Sequence, residues 1–413
     1  MLRMGVIGYG SRISGIVQMI GEFKADTRLV AVADPQKGKV ADRLRKQGFA
    51  DVRLYDDADE MLEKETLEGV LIGTRCSLHS RMAVKVLKRN LPLYLEKPIA
   101  TNMADLKAIA AAARKTKSPT VVSFPLRVTP LVQIAKEILD SGKIGAVEHV
   151  QAWNNVPYGY CYFQGWYRDE NETGGLFLQK ATHDFDYLNY LLKLAPRTLC
   201  AMTSKQIMKG DKPAGLRCVD CDDQEECLES PFHAFYTRGE AREVGLELTQ
   251  REQCCFAVDT GNEDSGSALI EYETGMHACY SQNFFARKAA GARGARLLGY
   301  LGTLEFDWFT DEVKVFVHHS PRTETIKVDT TKLSHGGGDH VLVKNFIDLM
   351  RGVSESIAPL EAGLLSVLMC LKAKESARTR TFQDIDLAEI GLSRGDLRAT
   401  FGTPSNPSAE ESA

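Results

Sequence analysis

The sequence predicts an α/β domain built on a parallel sheet, followed by an α+β domain with a large, open, mostly antiparallel sheet flanked by helices. Three observations carry this. Over residues 1–123, short apolar runs alternate with amphipathic helical stretches, the order of a parallel sheet with helices on both faces. Beyond Phe124-Pro125 the runs lengthen and alternate at period two, with Glu273-Thr274-Gly275 between two of them, as in an antiparallel hairpin. The chain has 413 residues and is 44% apolar, enough for two cores.

Residues 3–8, 29–34, 52–55, 69–72, 93–95 and 120–123 read as strands. They are almost continuously apolar, as strands covered on both faces are. Residues 13–22, 37–47, 58–63, 77–89 and 103–115 read as the helices between them. A further helix over 131–141 ends at the glycine-containing turn of Gly142 and Gly145. A second set of strands then covers 147–153, 252–258, 267–272, 276–283, 295–300, 302–306 and 312–318, with helices over 185–194 and 341–352. The predicted domains are thus 1–123 and 124–385. The second carries a cysteine-rich insertion at about 205–235, and the small, polar, acidic tail over 402–413 is expected to be disordered.

The net charge is −4 with both signs mixed, unlike the basic face that nucleic acid requires. No apolar run reaches bilayer length. The N-terminus enters a strand without an apolar signal region, so a cytoplasmic location is the default expectation.

Gly8-Tyr9-Gly10-Ser11-Arg12-Ile13 joins the first strand to the first helix. Gly8 permits a tight turn, Gly10 lets the backbone approach a pyrophosphate, and the helix N-terminus offers N–H donors. Ile13 stands where a third small residue is usual, and Gly15 is expected to compensate in part. Asp34 ends the second strand, where a carboxylate accepts hydrogen bonds from the adenine ribose and repels a 2′-phosphate. Turn and aspartate together predict an NAD site, with NADP disfavoured. Either feature alone reads equally as an ordinary strand-end turn.

Leu93-Tyr94-Leu95-Glu96-Lys97-Pro98 closes another parallel strand, and ligands of such sheets sit beyond the carboxyl ends of strands. Lys97 therefore points toward the cofactor. This stretch resembles the Glu-Lys-Pro motif of the family named for glucose–fructose oxidoreductase, inositol dehydrogenase and MocA. Ile72-Gly73-Thr74-Arg75-Cys76-Ser77-Leu78-His79 is similar to its Thr-Pro-x-x-x-His loop, with Arg75 in place of proline. Gly174-Gly175 followed by Thr182-His183-Asp184-Phe185-Asp186 resembles its Gly-Gly…His-x-x-Asp segment.

The resemblance spans most of residues 1–380 and implies a Rossmann domain, a substrate domain and an NAD-dependent oxidoreductase acting on a hydroxyl of a sugar-like substrate. It implies that Lys97 and His183 are catalytic. Gly8, Gly10, Asp34, Thr74, His79 and Glu96 fall at cofactor-facing positions, with Ser11, Arg12, Ile13 and Arg75 beside them. Trp166 and Arg168 resemble a Trp-Arg segment reaching toward the nicotinamide, Arg127 lies where the family enters its second domain, and Asp186 takes the place of a substrate-binding carboxylate.

One departure stands out. Inositol-type dehydrogenases carry an aspartate four residues before the histidine, and here that residue is Gln179, followed by Lys180. Glutamine cannot act as a base. The proton of the reacting hydroxyl is then left to Lys97 and His183, or Lys180 joins them; Lys180 reads either as a ligand of an anionic or hydroxyl-rich substrate or as a buried, pKa-shifted amine. Tyr158 and Trp166 are candidates for a sugar-stacking wall; aromatic core is the plainer reading.

Cys218, Cys221, Cys227 and His233 are spaced like part of a structural zinc site, although a thiol-rich loop explains them as well. In His335-Gly336-Gly337-Gly338-Asp339, Asp339 is expected to cap the helix that follows, within a loop for substrate or interface. Alongside the dehydrogenase, the sequence admits an NAD-dependent glycosidase working through transient oxidation, and a non-catalytic cofactor sensor. The open face of the second sheet is expected to pack against another subunit, giving a homodimer or homotetramer.

Overall fold

The structure, a computed structural model, describes residues 1–23, 26–49, 51–231, 253–329 and 334–404. Its first layer is a six-stranded sheet. The strands are β1 (Leu2–Ile7), β2 (Thr27–Ala33), β3 (Arg53–Tyr55), β4 (Gly69–Ile72), β5 (Leu93–Leu95) and β6 (Thr120–Val122). They lie in the order β3-β2-β1-β4-β5-β6 and every pairing is parallel. Strands β4, β5 and β6 are buried at every residue, which explains their unbroken apolar runs. The order reverses between β1 and β4, which opens a crevice above their carboxyl ends.

Helix Ser11–Glu22 follows β1 and buries Ile13, Ile16, Val17, Met19 and Ile20, the three-and-four spacing of one apolar face. Helix Gly338–Met350, from the far end of the chain, packs beside it. A side chain at Gly69 would collide with Met350, its Cβ lying 2.4 Å from the sulfur, so this glycine lets the late helix close over β4.

The second sheet has nine strands: β7 (Val147–Asn155), β8 (Pro196–Ser204), β9 (Ser265–Tyr272), β10 (His277–Asn283), β11 (Ala292–Gly299), β12 (Gly302–Asp307), β13 (Glu312–Val317), β14 (Arg322–Lys327) and β15 (Gln383–Asp384). The order is β14-β13-β12-β11-β7-β10-β9-β8-β15. All pairings are antiparallel except the central one, β7 with β10. Ala268, Ile270, Tyr272, Ala278 and Tyr280 point into the core, while Ser267, Leu269, Cys279 and Ser281 alternate with them on the open face.

The covered face packs on helices Leu176–Leu192 and Leu360–Thr379. Helix Leu176–Leu192 is buried at every residue except Tyr190. It nonetheless carries Gln179, Lys180, Thr182, His183, Asp184, Asp186 and Asn189. Buried polar side chains demand partners, and those partners define the site described next.

Several elements differ from expectation. Residues 253–258 form turns and two isolated bridges, Gln253 with Arg217 and Ala257 with Lys212, not a strand. Their N–H groups go to scattered acceptors, Gln253 to Gln164, Cys254 to Leu216 and Val258 to Lys212, so no ladder forms. The helix expected over 185–194 starts at Leu176, after Gly174 and Gly175 turn the chain with φ of 77° and 101°. Glu263 accepts from Phe177 N at 2.5 Å and so caps it from a distance. Most of the tail expected to be disordered, 405–413, lies outside the described residues.

Candidate active site

The turn after β1 is built around Gly8, whose φ is 78°; a Cβ there would come within 2.7 Å of the Thr74 side chain. Gly10 precedes a helix with no side-chain cap and no acidic residue in its first turn. Its leading N–H groups and positive dipole end are left for an anion. Asp34 accepts from Tyr9 N at 2.9 Å and Gln36 N at 2.8 Å, which fixes its carboxylate beside the turn. A glycine cradle that a Cβ would fill, an uncapped helix start and a fixed carboxylate fit a dinucleotide.

Ile13 is fully buried. The residue that makes room for it is Gly73: a Cβ there would lie 2.4 Å from Ile13 Cβ. Gly15, expected to compensate, has nothing within 4 Å and plays no such part. Ser11 opens the helix, and Ser14 Oγ donates to its carbonyl at 3.0 Å.

Arg12 ties the cofactor turn to two other segments. Its Nε donates to Glu96 Oε1 at 3.0 Å, and its guanidinium pairs with both oxygens of Asp339 at 2.8 and 2.5 Å. Asp339 therefore does not cap its helix, as expected from sequence; its carboxylate faces Arg12 and the His335 ring, 2.8 Å away. Burial raises this carboxyl's pKa, but the hydrogen bonds from Arg12 and His335 win and hold it well below the usual range. Glu96 also accepts from Ser123 Oγ at 3.1 Å.

His79 is buried, with Nδ1 2.8 Å from Pro98 O and Nε2 3.1 Å from Thr74 O. It pins the loop after β4 to the Lys97-Pro98 turn, where the peptide is cis. Arg75 lies over Trp166, its Cζ 3.8 Å from the ring centroid, and Trp166 stacks on Tyr167 at 3.9 Å. The replacement of proline by Arg75 thus supplies a cation–π contact.

Three residues read as ligand-facing are engaged within the protein. Arg127 and Asp186 meet in a two-pronged ion pair with side chains 1% exposed, and Arg127 also donates to Ile357 O at 3.1 Å. Arg168 binds Asp259 Oδ1 at 2.7 Å, Thr260 Oγ1 at 2.9 Å and the side chain of Gln253. These contacts anchor the segment that follows the insertion.

Lys97 and helix Leu176–Leu192 form the centre. Lys97 Nζ donates to Gln179 O at 2.9 Å. The Gln179 side chain turns away, donating to Thr173 O at 2.9 Å and Cys76 Sγ at 3.3 Å, and so takes a packing role. Lys180 Nζ donates to Tyr158 OH at 2.9 Å, 4.7 and 4.9 Å from the ring centroids of Tyr158 and Tyr162. Burial, then the charges of Lys180 and Arg293, push the Lys97 ammonium down to about 8. Burial, then Lys97, holds His183 well below the usual imidazole range. His183 Nδ1 is buried with no hydrogen-bond partner among the described residues, and the ring packs edge-on to Phe124 at 5.9 Å.

Sequence reasoning missed Arg293. It projects from β11, its Nε 2.8 Å from Asp184 Oδ1, while Asn154 Nδ2 and Tyr280 OH donate to Asp184 Oδ2 at 2.9 and 2.7 Å. The only signal is an arginine inside a strand. The zinc expectation finds no support either. Among the described residues no group of three or more His, Cys, Asp or Glu is placed to hold a metal, Cys218 Sγ faces Gln253 O at 3.8 Å, and His233 lies outside the described residues.

Fold and site together define a dinucleotide-binding oxidoreductase. Residues 2–124 match the model of an oxidoreductase family with an NAD-binding Rossmann fold, and residues 132–305 match the GFO/IDH/MocA C-terminal domain. The chain belongs to the Gfo/Idh/MocA oxidoreductase family. It is 26% identical over 390 residues to the putative oxidoreductase YteT of Bacillus subtilis, covering 86% of this chain and 88% of that one. It is also 26% identical over 193 residues to myo-inositol 2-dehydrogenase of Thermotoga maritima, covering 46% of this chain and 55% of that one. Levoglucosan dehydrogenase in complex with NADH and L-sorbose has the same fold, with a TM-score of 0.75 and 17% identity over 95% of this chain and all of that one. No described helix is long and apolar enough to cross a membrane.

Proposed function

We propose that the protein is an NAD-dependent dehydrogenase of a sugar, cyclitol or sugar derivative, in which Lys97 and His183 handle the proton of the reacting hydroxyl. The observation that carries this is a buried imidazole nitrogen with no partner among the described residues, beside an ammonium whose pKa is pushed down to about 8. An orphaned buried polar atom is costly, and a substrate hydroxyl relieves it.

Gly8, Gly10 and the N-terminus of helix Ser11–Glu22 hold the pyrophosphate, and Asp34 receives the ribose hydroxyls and disfavours a 2′-phosphate. Thr74, Arg75, His79, Glu96, Arg12 and Trp166 shape the rest of the cofactor channel. NAD, when bound, supplies the hydride acceptor. The neutral amine of Lys97 takes the hydroxyl proton as hydride leaves the carbon, because a base titrating near the working pH is the most effective. His183, held neutral, orients the same hydroxyl and relays its proton. Tyr158 and Trp166 wall the sugar. The names of the inositol and levoglucosan dehydrogenases support a polyhydroxylated substrate.

The open face of the nine-stranded sheet exposes Met202 and Leu269 around a depression of about 510 Å³. It supports a homodimer or homotetramer, which sedimentation of the purified chain tests; a monomer at micromolar concentration contradicts it. The activity itself is tested by a panel of sugars, cyclitols and glycosides with NAD, following NADH absorbance and aglycone release. NADH accumulation is expected. Aglycone release without net NADH would make the protein a glycosidase instead.

A further inference from the structure

We propose that Lys180 is the ligand of a carboxylate on the substrate, so that the enzyme acts on sugar acids in preference to neutral sugars. This rests on the dehydrogenase reading and narrows it.

Lys97, half-buried, and Lys180, 7% exposed, both lie against helix Leu176–Leu192 or on it. Neither ammonium has a carboxylate within ion-pair distance among the described residues. The hydrogen bonds they do make are to a main-chain carbonyl from Lys97 and to the Tyr158 hydroxyl from Lys180. A third cation, Arg293, acts on Lys97, His183 and Tyr158 as well.

The nearby carboxylates are committed elsewhere. Asp184 is held by Arg293, Asn154 and Tyr280, and Glu96 by Arg12 and Ser123. The position where inositol-type relatives place an acid is Gln179, whose amide faces Thr173 and Cys76. A buried ammonium without a counter-ion is expensive. The protein keeps such a group where a ligand brings the missing charge.

The surroundings of Lys180 suit an anion. Its Nζ has three donors, and one is used on Tyr158 OH. The rings of Tyr158 and Tyr162 hold the amine in place. Lys180 and His183 are three residues apart, on one face of the helix. A substrate whose hydroxyl reaches His183 and Lys97 therefore extends its neighbouring substituent toward Lys180. A carboxylate there accepts a charge-assisted bond; a neutral hydroxymethyl group leaves the cation uncompensated.

The test compares hexuronates and aldonates with their neutral parent sugars on the full chain with NAD. Steady-state NADH formation is measured, and binding to the enzyme–NADH complex is measured by calorimetry. The expected preference for the acid is about tenfold to a hundredfold in kcat/KM and in affinity. Lys180→Met should remove most of the difference between each acid and its parent, chiefly through KM, and Lys180→Arg should restore part of it. Equal use of acid and neutral sugar, or an equal loss on both in Lys180→Met, overturns the proposal. Tight, Lys180-dependent binding of an acid with no NADH formed from any substrate overturns the dehydrogenase reading and leaves the anion site standing. Binding of no acid at all overturns the anion site.

Discussion

Lys97 Nζ lies 2.9 Å from the main-chain carbonyl of Gln179, so the strand-end lysine of the first sheet is held by the helix that lines the second. The contact fixes where the amine points and surrounds it with cations. Its pKa of about 8, depressed by burial and then by Lys180, makes a pH prediction. For alcohol oxidation, kcat/KM should rise as pH increases through about 8, where Lys97 loses its proton. Lys180→Met removes the positive charge that most lowers the Lys97 pKa, raises that pKa and shifts the profile to higher pH. A profile that does not move in this variant would separate the two lysines. The stability sign follows from the same shift. The unfolded lysine binds its proton up to about 10.4, so between about 8 and that value the unfolded chain holds more protons and this group's contribution to stability rises with pH.

Asp34 is fixed by two backbone N–H groups. Asp34→Ala should weaken NAD binding by about 1–3 kcal/mol, the cost of losing hydrogen bonds to a charged acceptor, with little loss toward NADP. Titration of both cofactors checks it. Equal losses for both would mean that the residue shapes the turn without selecting between them.

The Arg127–Asp186 pair is the most deeply buried ion pair near the site, both side chains 1% exposed. Arg127→Met alone should destabilise the protein by about 3–5 kcal/mol by leaving a buried carboxylate unpaired. Arg127→Met with Asp186→Leu should recover most of that and keep NAD affinity within a few-fold. Denaturant melts and a cofactor titration decide; a double variant that folds but binds NAD more than tenfold weaker would give Arg127 a direct cofactor role.

Much of the first sheet was legible because its strands and turn obey local rules: apolar runs, a glycine with positive φ and an acid at the next strand end. The accommodation of Ile13 was not, because Gly73 lies 60 residues away and only the fold brings them together. The same holds for helix Gly338–Met350, which packs on the first layer though it belongs to the end of the chain. Helix Leu360–Thr379 is buried almost all round over Leu360–Cys370, and that half shows no polar face. Strand β14 is largely exposed on both faces and so shows no alternation. At the site, Lys97 and His183 were readable from motifs, whereas Arg293 and the partners of Arg127 and Arg168 were set by packing alone.

That long-range fit can be tested. Gly73→Ala should cost about 1–3 kcal/mol through overpacking against Ile13, and adding Ile13→Ala should restore most of it. A Gly73→Ala variant as stable as the parent would show that the helix shifts freely, and Gly73 would then have no special place beside the cofactor turn.

The central claim is that Lys97 acts in proton transfer and not in holding the cofactor. It is tested most directly by Lys97→Met, with NADH formation on the best substrate and NAD affinity measured on the same preparation. The account predicts turnover lower by about a hundredfold to ten-thousandfold with NAD affinity within a few-fold of the parent. Turnover near the parental rate in a protein that still binds NAD would contradict it.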